Sequence, residues 1–167
     1  MSKKVEVPNN TSFPDVTDRK QVEEALWESE ERYRALVNLG AEVGEAVVML
    51  QDTEEKIGQY IFVSDEWVRI TGYSRKELLS MSQAELIHPR DRKTAVERHQ
   101  RRMRGESLPG LFEIIIIRKN GTEVPIELTS AFTTYKGKTA HVCYMRDITE
   151  RKRAEQELQE KNEQLDA

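Results

Sequence analysis

At Asp147-Ile148-Thr149-Glu150-Arg151-Lys152, a predicted β-strand gives way to a predicted α-helix. The residues before this stretch, 138–146, alternate in polarity, which is typical of a strand. The residues after it, 153–161, contain no glycine or proline and are strong helix formers. Asp147 or Thr149 can cap the new helix, because a short side-chain oxygen satisfies amides that the first turn leaves unpaired. The stretch is therefore predicted to be a hinge.

The hinge has one earlier copy, Asp15-Val16-Thr17-Asp18-Arg19-Lys20, at an offset of 132 residues (147 − 15). Asp, Thr, Arg and Lys recur in register, and Glu23 and Leu26 continue the match. A period this long corresponds to one domain plus one connector, not to a solenoid repeat. Charged helices resemble each other by composition, but a shared Asp-x-Thr-x-Arg-Lys start does not follow from composition. We therefore expect one globular domain between two copies of a connecting helix.

Composition bounds the class of protein. The 167 residues suffice for one ordinary domain with flanking segments, and the 34% of charged residues lie mostly in those flanks and in 90–106. A net charge of −4 argues against nucleic acid as the main partner. One cysteine excludes an intrachain disulfide and fits a reducing cytosol. No apolar run approaches the roughly 18 residues of a membrane span, so we expect a cytoplasmic segment without a membrane partner.

The predicted organisation has four parts. Residues 1–14 are expected to form a flexible leader, 15–39 a connector helix, 40–149 the domain and 150–167 a second connector helix. Gly40 and Gly44 are expected to end the first helix.

Each connector helix carries a thin apolar stripe. On the first helix the stripe includes Val22, Leu26 and Tyr33, and on the second it includes Leu158. A stripe this thin on a charged helix favours a second helix as its partner, so we predict a homodimer. The alternative is that the first helix lies back on its own domain.

The domain itself changes period twice. Two apolar segments across a polar turn, 45–50 and 60–63, predict a hairpin. Short helices follow, one of them opened by a capping box at Ser74 and Glu77, and then a longer helix over 89–104 with a basic polar face. Three strands complete the domain, with an Asn-Gly turn between the first two and buried positions expected at Val124, Ile126, Leu128 and Phe132. The order predicts an α+β fold: a five-stranded antiparallel sheet with helices on one face.

Four further stretches, together with the hinge, resemble a PAS domain, the sensor module of bacterial and archaeal signalling proteins. The resemblance runs from about residue 31 to residue 150. Each stretch is a weak signal alone, and the set is specific. The four stretches are Phe62-Val63-Ser64-Asp65-Glu66-Trp67, Ile70-Thr71-Gly72-Tyr73-Ser74-x-x-Glu77-Leu78, Ile87-His88-Pro89-x-Asp91-Arg92 and Arg118-Lys119-Asn120-Gly121-Thr122.

The resemblance implies a PAS fold and a sensory, non-enzymatic role in a signal-transduction protein, such as a sensor histidine kinase or a related multidomain regulator. It also implies that the hinge passes the signal onward, through Asp147, Thr149 and Arg151. Residues 150–167 contain no histidine, so no phosphoacceptor helix follows the hinge within them. The expected partners are neighbouring PAS, kinase or output domains of a parent chain.

In the family, a pocket lies between the inner sheet face and the short helices. Its expected composition here suits a small apolar ligand. The alternative is a ligand-free relay domain in which these residues pack on one another. Many members have Asn where this chain has Asp65, whose carboxylate only accepts hydrogen bonds and would alter recognition of an amide. The candidate lining residues are Val48, Phe62, Asp65, Trp67, Ile70, Leu78, Ile115, Leu128 and Met145.

The cofactor is left open by the sequence. Light-oxygen-voltage members attach flavin through a cysteine that is absent from 81–86, and Cys143 in the last strand reads as a small core residue, which disfavours covalent flavin. Haem-binding members use a histidine on the long helix. His99 stands there among arginines and is expected on the solvated face, which disfavours haem. His88 is expected at the start of that helix. His141 lies in the last strand, where its neighbours Ala140 and Val142 could face inward instead of it.

Two other functions are alternatives to a sensory role. A small α+β enzyme would need convergent catalytic groups, and the candidates Asp65, His88 and His99 show no triad spacing or metal-ligand cluster. Nucleic-acid binding by the basic helix is the other, but Glu97 and Glu106 interrupt its positive face.

Overall fold

The structure is a computed structural model that describes residues 16–165. The predicted leader, Asp15 of the first hinge copy and the last two residues lie outside the described residues. The chain divides into two compact units, the first ending at Leu36 and the second beginning at Val37. No described helix has the length and apolar character needed to cross a membrane.

Helix α1 spans Val16–Glu42 and carries no buried residue. The expected stop at Gly40 is wrong, because the helix continues for two further residues. A Cβ atom at Gly40 would come within 3.2 Å of the backbone carbonyl oxygen of Glu45. Glycine therefore fits this position because the backbone at Glu45 passes close to it, and not because the helix ends there. Gly44, with φ of +73°, makes the turn instead.

The predicted five-stranded antiparallel sheet is confirmed. Strand β1 (Glu45–Gln51) pairs with β2 (Gln59–Val63) and with β5 (Lys138–Asp147), and β4 (Glu123–Tyr135) pairs with β5 and with β3 (Leu111–Ile117). The order across the sheet is β2-β1-β5-β4-β3. The first and last strands are thus neighbours, and the last strand is central.

The helices between β2 and β3 pack on one side of this sheet. They are α2 (Asp65–Thr71), α3 (Arg75–Ser80), α4 (Gln83–Leu86) and α5 (Pro89–Met103); α6 (Thr149–Leu165) follows β5. The predicted capping box is confirmed: the Glu77 amide donates to Ser74 Oγ at 3.3 Å, and the Ser74 amide donates to Glu77 Oε2 at 2.8 Å. These reciprocal bonds satisfy two amides at the start of α3.

Register decides which strand residues reach the core. Ile114 and Ile116 pair with Ile126 and Val124, and all four are buried. Ile115, a candidate for the pocket, is therefore on the opposite face and only half-buried, which corrects its placement. Because the side-chain period of a strand is two, a one-residue error in a run of four isoleucines changes the face.

Two aromatic residues also depart from expectation. Phe62 is half-buried and pairs with Met49 rather than with the buried Val48, so it too lies away from the inner face. Phe132, expected in the core, is 43% exposed. It lies in the part of β4 beyond Thr129, where pairing with β3 ends and less of the domain covers the strand.

Candidate functional site

The remaining apolar pocket candidates lie in one packed core. They come from β1, α2, α3, β4 and β5, and all are at most 6% exposed. Only Leu128 also lines the cavity described below. The members of this group are Val48, Trp67, Ile70, Leu78, Leu128 and Met145.

Asp65 does not face this core. Its side chain is 91% exposed and forms an ion pair with Arg75. The residue stands at the first position of α2, one residue after the N-cap Ser64, so the expected cap is also displaced by one residue. As the adjacent Glu66 and Trp67 turn inward, the helical period carries Asp65 to the solvent.

The hinge is organised by the Asp147 carboxylate. Oδ1 accepts from the Thr149 amide at 2.9 Å and from Thr149 Oγ1 at 2.5 Å, and Oδ2 accepts from Arg118 Nη2 at 3.1 Å. The next residue, Ile148, is buried, and its amide donates to the carbonyl of Pro125 in β4 at 3.0 Å. One side chain therefore joins the first turn of α6 to the end of β3.

Arg151, the third hinge residue, binds the outer face of the sheet. Its Nη2 lies 2.9 Å from Glu113 Oε1 and 2.9 Å from Glu127 Oε2, on β3 and β4. Lys152 Nζ lies 2.6 Å from Glu113 Oε2. Neither glutamate was among the predicted site residues. The signal for Glu113 was a charged side chain in an otherwise apolar strand, and Glu127 lies on the polar face of β4.

His99 corrects the prediction of a solvated histidine on α5. It is 6% exposed, and its Nε2 lies 2.8 Å from Asp52 Oδ1, an atom that also accepts from the Gly58 amide at 2.8 Å. Asp52 follows β1 directly, so the bond ties α5 to the β1–β2 loop. The helical period, with Ala95 buried one turn earlier, was the signal that His99 faces inward.

His141 of β5 is itself buried, which corrects the expectation that Ala140 and Val142 face inward in its place. It is 4% exposed, and its ring lies 4.5 Å from that of His99 and 4.2 Å from that of Phe132, edge-on to both. Burial, with the nearby His99 and Arg102, lowers the pKa of His141 to about 4. At neutral pH this imidazole is therefore uncharged, and its Nε2 has no hydrogen-bond partner among residues 16–165.

A cavity of about 30 Å³ opens between α5 and the inner sheet face beside these histidines. Arg98 and Arg102 of α5 both line it. Arg98 stacks on Phe112 with 4.0 Å from its guanidinium carbon to the ring centre, and Arg102 donates to Ser130 Oγ. These two arginines are half-buried, so the basic face of α5 is not simply solvated. The volume of the cavity is at most about a tenth of that of a typical ligand pocket, which measures roughly 300–1,000 Å³.

The other titratable candidates have structural positions. His88 is the N-cap of α5, as expected, and its Nδ1 accepts from the Arg90 amide at 3.2 Å. Cys143 is buried in β5, and burial raises the pKa of its thiol to about 12. That thiol is therefore protonated and unreactive at neutral pH.

A five-stranded antiparallel sheet of order β2-β1-β5-β4-β3 with short helices on one face defines an α+β domain. The sequence profile of the PAS domain matches residues 44–150. The chain belongs to the PAS domain family and is a sensory domain of the signal-transduction type.

Two relatives are sensors. The chain is 32% identical over 136 residues to a methyl sulfide methyltransferase-associated sensor of Methanosarcina acetivorans, a match covering 81% of this chain and 13% of the relative. It is 27% identical over 143 residues to the sensor histidine kinase TmoS of Ectopseudomonas mendocina, and this match covers 84% of this chain and 14% of the kinase. The chain therefore spans only about a seventh of the length of these proteins.

Solved structures show the same fold. The PAS domain of an HTR-like protein from Haloarcula marismortui superposes with a TM-score of 0.60 at 22% identity, covering 77% of this chain and 99% of that one. A domain of a sensory box sensor histidine kinase/response regulator from Geobacter sulfurreducens superposes with a TM-score of 0.56 at 24% identity. This match covers 73% of this chain and 96% of that one.

Proposed function

We propose that this domain is a cytoplasmic regulatory module, without catalytic activity of its own, in a sensor histidine kinase or a related multidomain regulator. The family and the sensor relatives support this proposal. Because those relatives are about seven times longer than the match, the output activity belongs to other domains of the parent chain.

The signal starts in the core and leaves through β5. This strand carries His141 beside the cavity, Cys143 and Met145 in the packed core, and Asp147 at the hinge. A shift of the strand along its length would move the Asp147 carboxylate relative to Thr149 and so change how α6 leaves the domain. Packed strands transmit such shifts because interiors have low compressibility.

The cavity admits two modes of input. Its small size favours a ligand of a few atoms, or a relay domain that receives its signal from a neighbouring domain without a ligand. The second mode is supported by the dense packing of the apolar candidate residues, which leaves them in contact with one another.

The active form is a homodimer held by the connector helices. Val22, Leu26 and Tyr33 on α1 are 68%, 59% and 48% exposed, and Leu158 on α6 is 62% exposed. Apolar side chains repeating along a helix that its own domain does not bury are typical of helix pairing.

The Asp147 hinge is the observation that carries the proposal, and Asp147→Ala tests it. The variant removes a helix cap and the Arg118 ion pair, which together favour the present start of α6. We expect the amides of Lys152 and Arg153 to exchange with deuterium about tenfold faster, as for the loss of a cap worth roughly 1 kcal/mol or more. Amide exchange in β1 and β5 should change by less than about twofold.

Glu150→Ala is the matched control, because it removes a neighbouring carboxylate that forms an ion pair with Arg153 one turn further along α6. It should leave the exchange of the hinge amides within about twofold of the unaltered protein. Faster exchange throughout the sheet of Asp147→Ala would mean that Asp147 is needed for folding, and it would contradict a dedicated role in signal transmission.

A further inference from the structure

The cavity beside His141 is lined by both apolar and polar side chains. Ala95, Phe112, Ile114 and Leu128 supply apolar surface. The polar groups that line it are Gln83, Arg98, His99, Arg102, Ser130 and His141. Such a mixed lining suits a small molecule that has a polar group and an apolar group.

Two nitrogen atoms at this cavity are buried and unpaired. His141 Nε2 and Arg98 Nε have no hydrogen-bond partner in the described part of the chain. His141 is only 4% exposed, so its Nε2 is also shielded from bulk water. Buried polar atoms are almost always hydrogen-bonded, because leaving one unpaired costs its full desolvation. The cavity therefore calls for a polar occupant.

The charges around the cavity favour an anion. Arg98 and Arg102 bring two guanidinium groups, while the nearby carboxylate of Asp52 is already held by His99 and the Gly58 amide. Burial and repulsion by Arg102 and Arg101 lower the pKa of Arg98. A bound anion would offset this repulsion and stabilise the charged guanidinium group.

The size of the cavity limits the anion. A volume of about 30 Å³ holds on the order of two water molecules, since each needs roughly 10–15 Å³ on this measure. Acetate, whose carboxylate carries a single methyl group, is at the upper limit of this volume, and longer carboxylates exceed it. A planar carboxylate also matches the fork of donors on a guanidinium group.

We propose that this cavity binds a short-chain monocarboxylate of the size of acetate. The carboxylate accepts hydrogen bonds from Arg98, Arg102 and His141, and the methyl end contacts Phe112, Ile114 and Leu128. The inference rests on the proposed sensory function and names the ligand class of its core.

The test is a titration of the whole chain with sodium acetate. Calorimetry measures the binding, and the imidazole NMR signals of His141 report where it occurs. Acetamide is the matched probe, because it has nearly the same shape without the charge, and sodium chloride controls for ionic strength. We expect acetate to bind with a millimolar or lower dissociation constant and to shift the His141 signals, and acetamide to bind at least about tenfold more weakly.

Arg102→Gln should weaken acetate binding at least about tenfold, and Arg102→Lys, which keeps the charge, should weaken it less. Arg104→Gln is the matched control, because Arg104 is exposed, pairs with Glu106 at 3.0 Å and does not line the cavity. It should bind acetate as the unaltered protein does. If Arg102→Gln does not fold, the comparison of acetate with acetamide decides on the unaltered chain.

Equal binding of acetate and acetamide would overturn the proposal, as would equal binding of acetate by Arg102→Gln and Arg104→Gln. Absence of binding at about 50 mM acetate, roughly fifty times a millimolar dissociation constant, would also overturn it and would assign the unpaired nitrogens to ordered water only. None of these outcomes affects the result of the amide-exchange experiment at Asp147. The proposed ligand class and the proposed signalling role of the hinge can therefore be contradicted independently.

Discussion

The imidazole of His141 is uncharged because it is buried beside another histidine and an arginine. Its neighbours His99 and Arg102 both disfavour a second positive charge, and Asp52, which favours one, is the weakest of the influences on it. The folded protein thus excludes a proton that the same side chain would take up readily in water. That exclusion makes the stability of the domain depend on pH.

We predict that the free energy of unfolding falls as the pH falls from about 6.5 to about 4. An unfolded histidine binds a proton near pH 6.5, whereas His141 in the folded protein has a pKa of about 4, so protons favour the unfolded chain within this window. Above pH 6.5 neither state binds the proton and the contribution is constant. The loss attributable to this one group is up to about 3 kcal/mol.

Urea unfolding of the unaltered protein and of His141→Gln, at intervals from pH 7 to pH 4, measures this contribution. The variant lacks the group, so the difference in stability between the two proteins should change across the window in favour of the variant at low pH. Parallel curves for the two proteins would contradict the assignment of a lowered pKa to His141.

At the scale of elements, the strands show why local pattern was a sufficient guide in some places and not in others. In β4, Val124, Ile126 and Leu128 alternate with polar residues, and their predicted burial is confirmed. In β3, isoleucine occupies both faces over 114–117, so the pattern contains no period from which to choose. Pairing with β4 makes the choice, since paired residues in antiparallel strands lie on the same face.

The register of β3 predicts unequal effects for neighbouring isoleucines. Ile116→Ala should lower the free energy of unfolding by about 2–5 kcal/mol, because it removes buried methyl groups and leaves a cavity. Ile115→Ala, one residue away and half-buried on the opposite face, should cost less than half as much. Urea unfolding of both variants gives the comparison, and equal losses would contradict the register.

At the scale of the whole molecule, the chain is a sensory domain bounded by two helices that begin with related sequences. The domain unit begins at Val37, and α1 begins well before it. The stripe on α1 should therefore be separable from the stability of the domain. This separation is what a modular sensor needs, because association can then change without unfolding the part that senses.

We predict that the double variant Val22→Ser, Leu26→Ser raises the dissociation constant of the homodimer at least tenfold, because it removes two apolar side chains from the proposed interface. The midpoint of thermal unfolding of the domain should change by no more than a few degrees. Sedimentation velocity over a range of concentrations measures the first quantity, and circular dichroism measures the second.

The matched control is Glu24→Ser, Glu31→Ser, which alters the same number of residues on the opposite side of α1 and should preserve the dimer. A monomeric unaltered protein at all concentrations, or equal dissociation constants for the two double variants, would contradict pairing through the stripe.

The sequence by itself determined the features that arise within a few residues of one another. These include the order of helices and strands, the capping box at Ser74, the turn at Gly121 and the hinge at Asp147, because propensity, capping and turn chemistry are local. Tertiary structure alone decided where His99 faces, because its partner Asp52 is 47 residues away in the chain. The same holds for Arg118 at Asp147, and for Glu113 and Glu127 at Arg151. Contacts of this kind depend on strand register and on the docking of α5, and no local pattern specifies them.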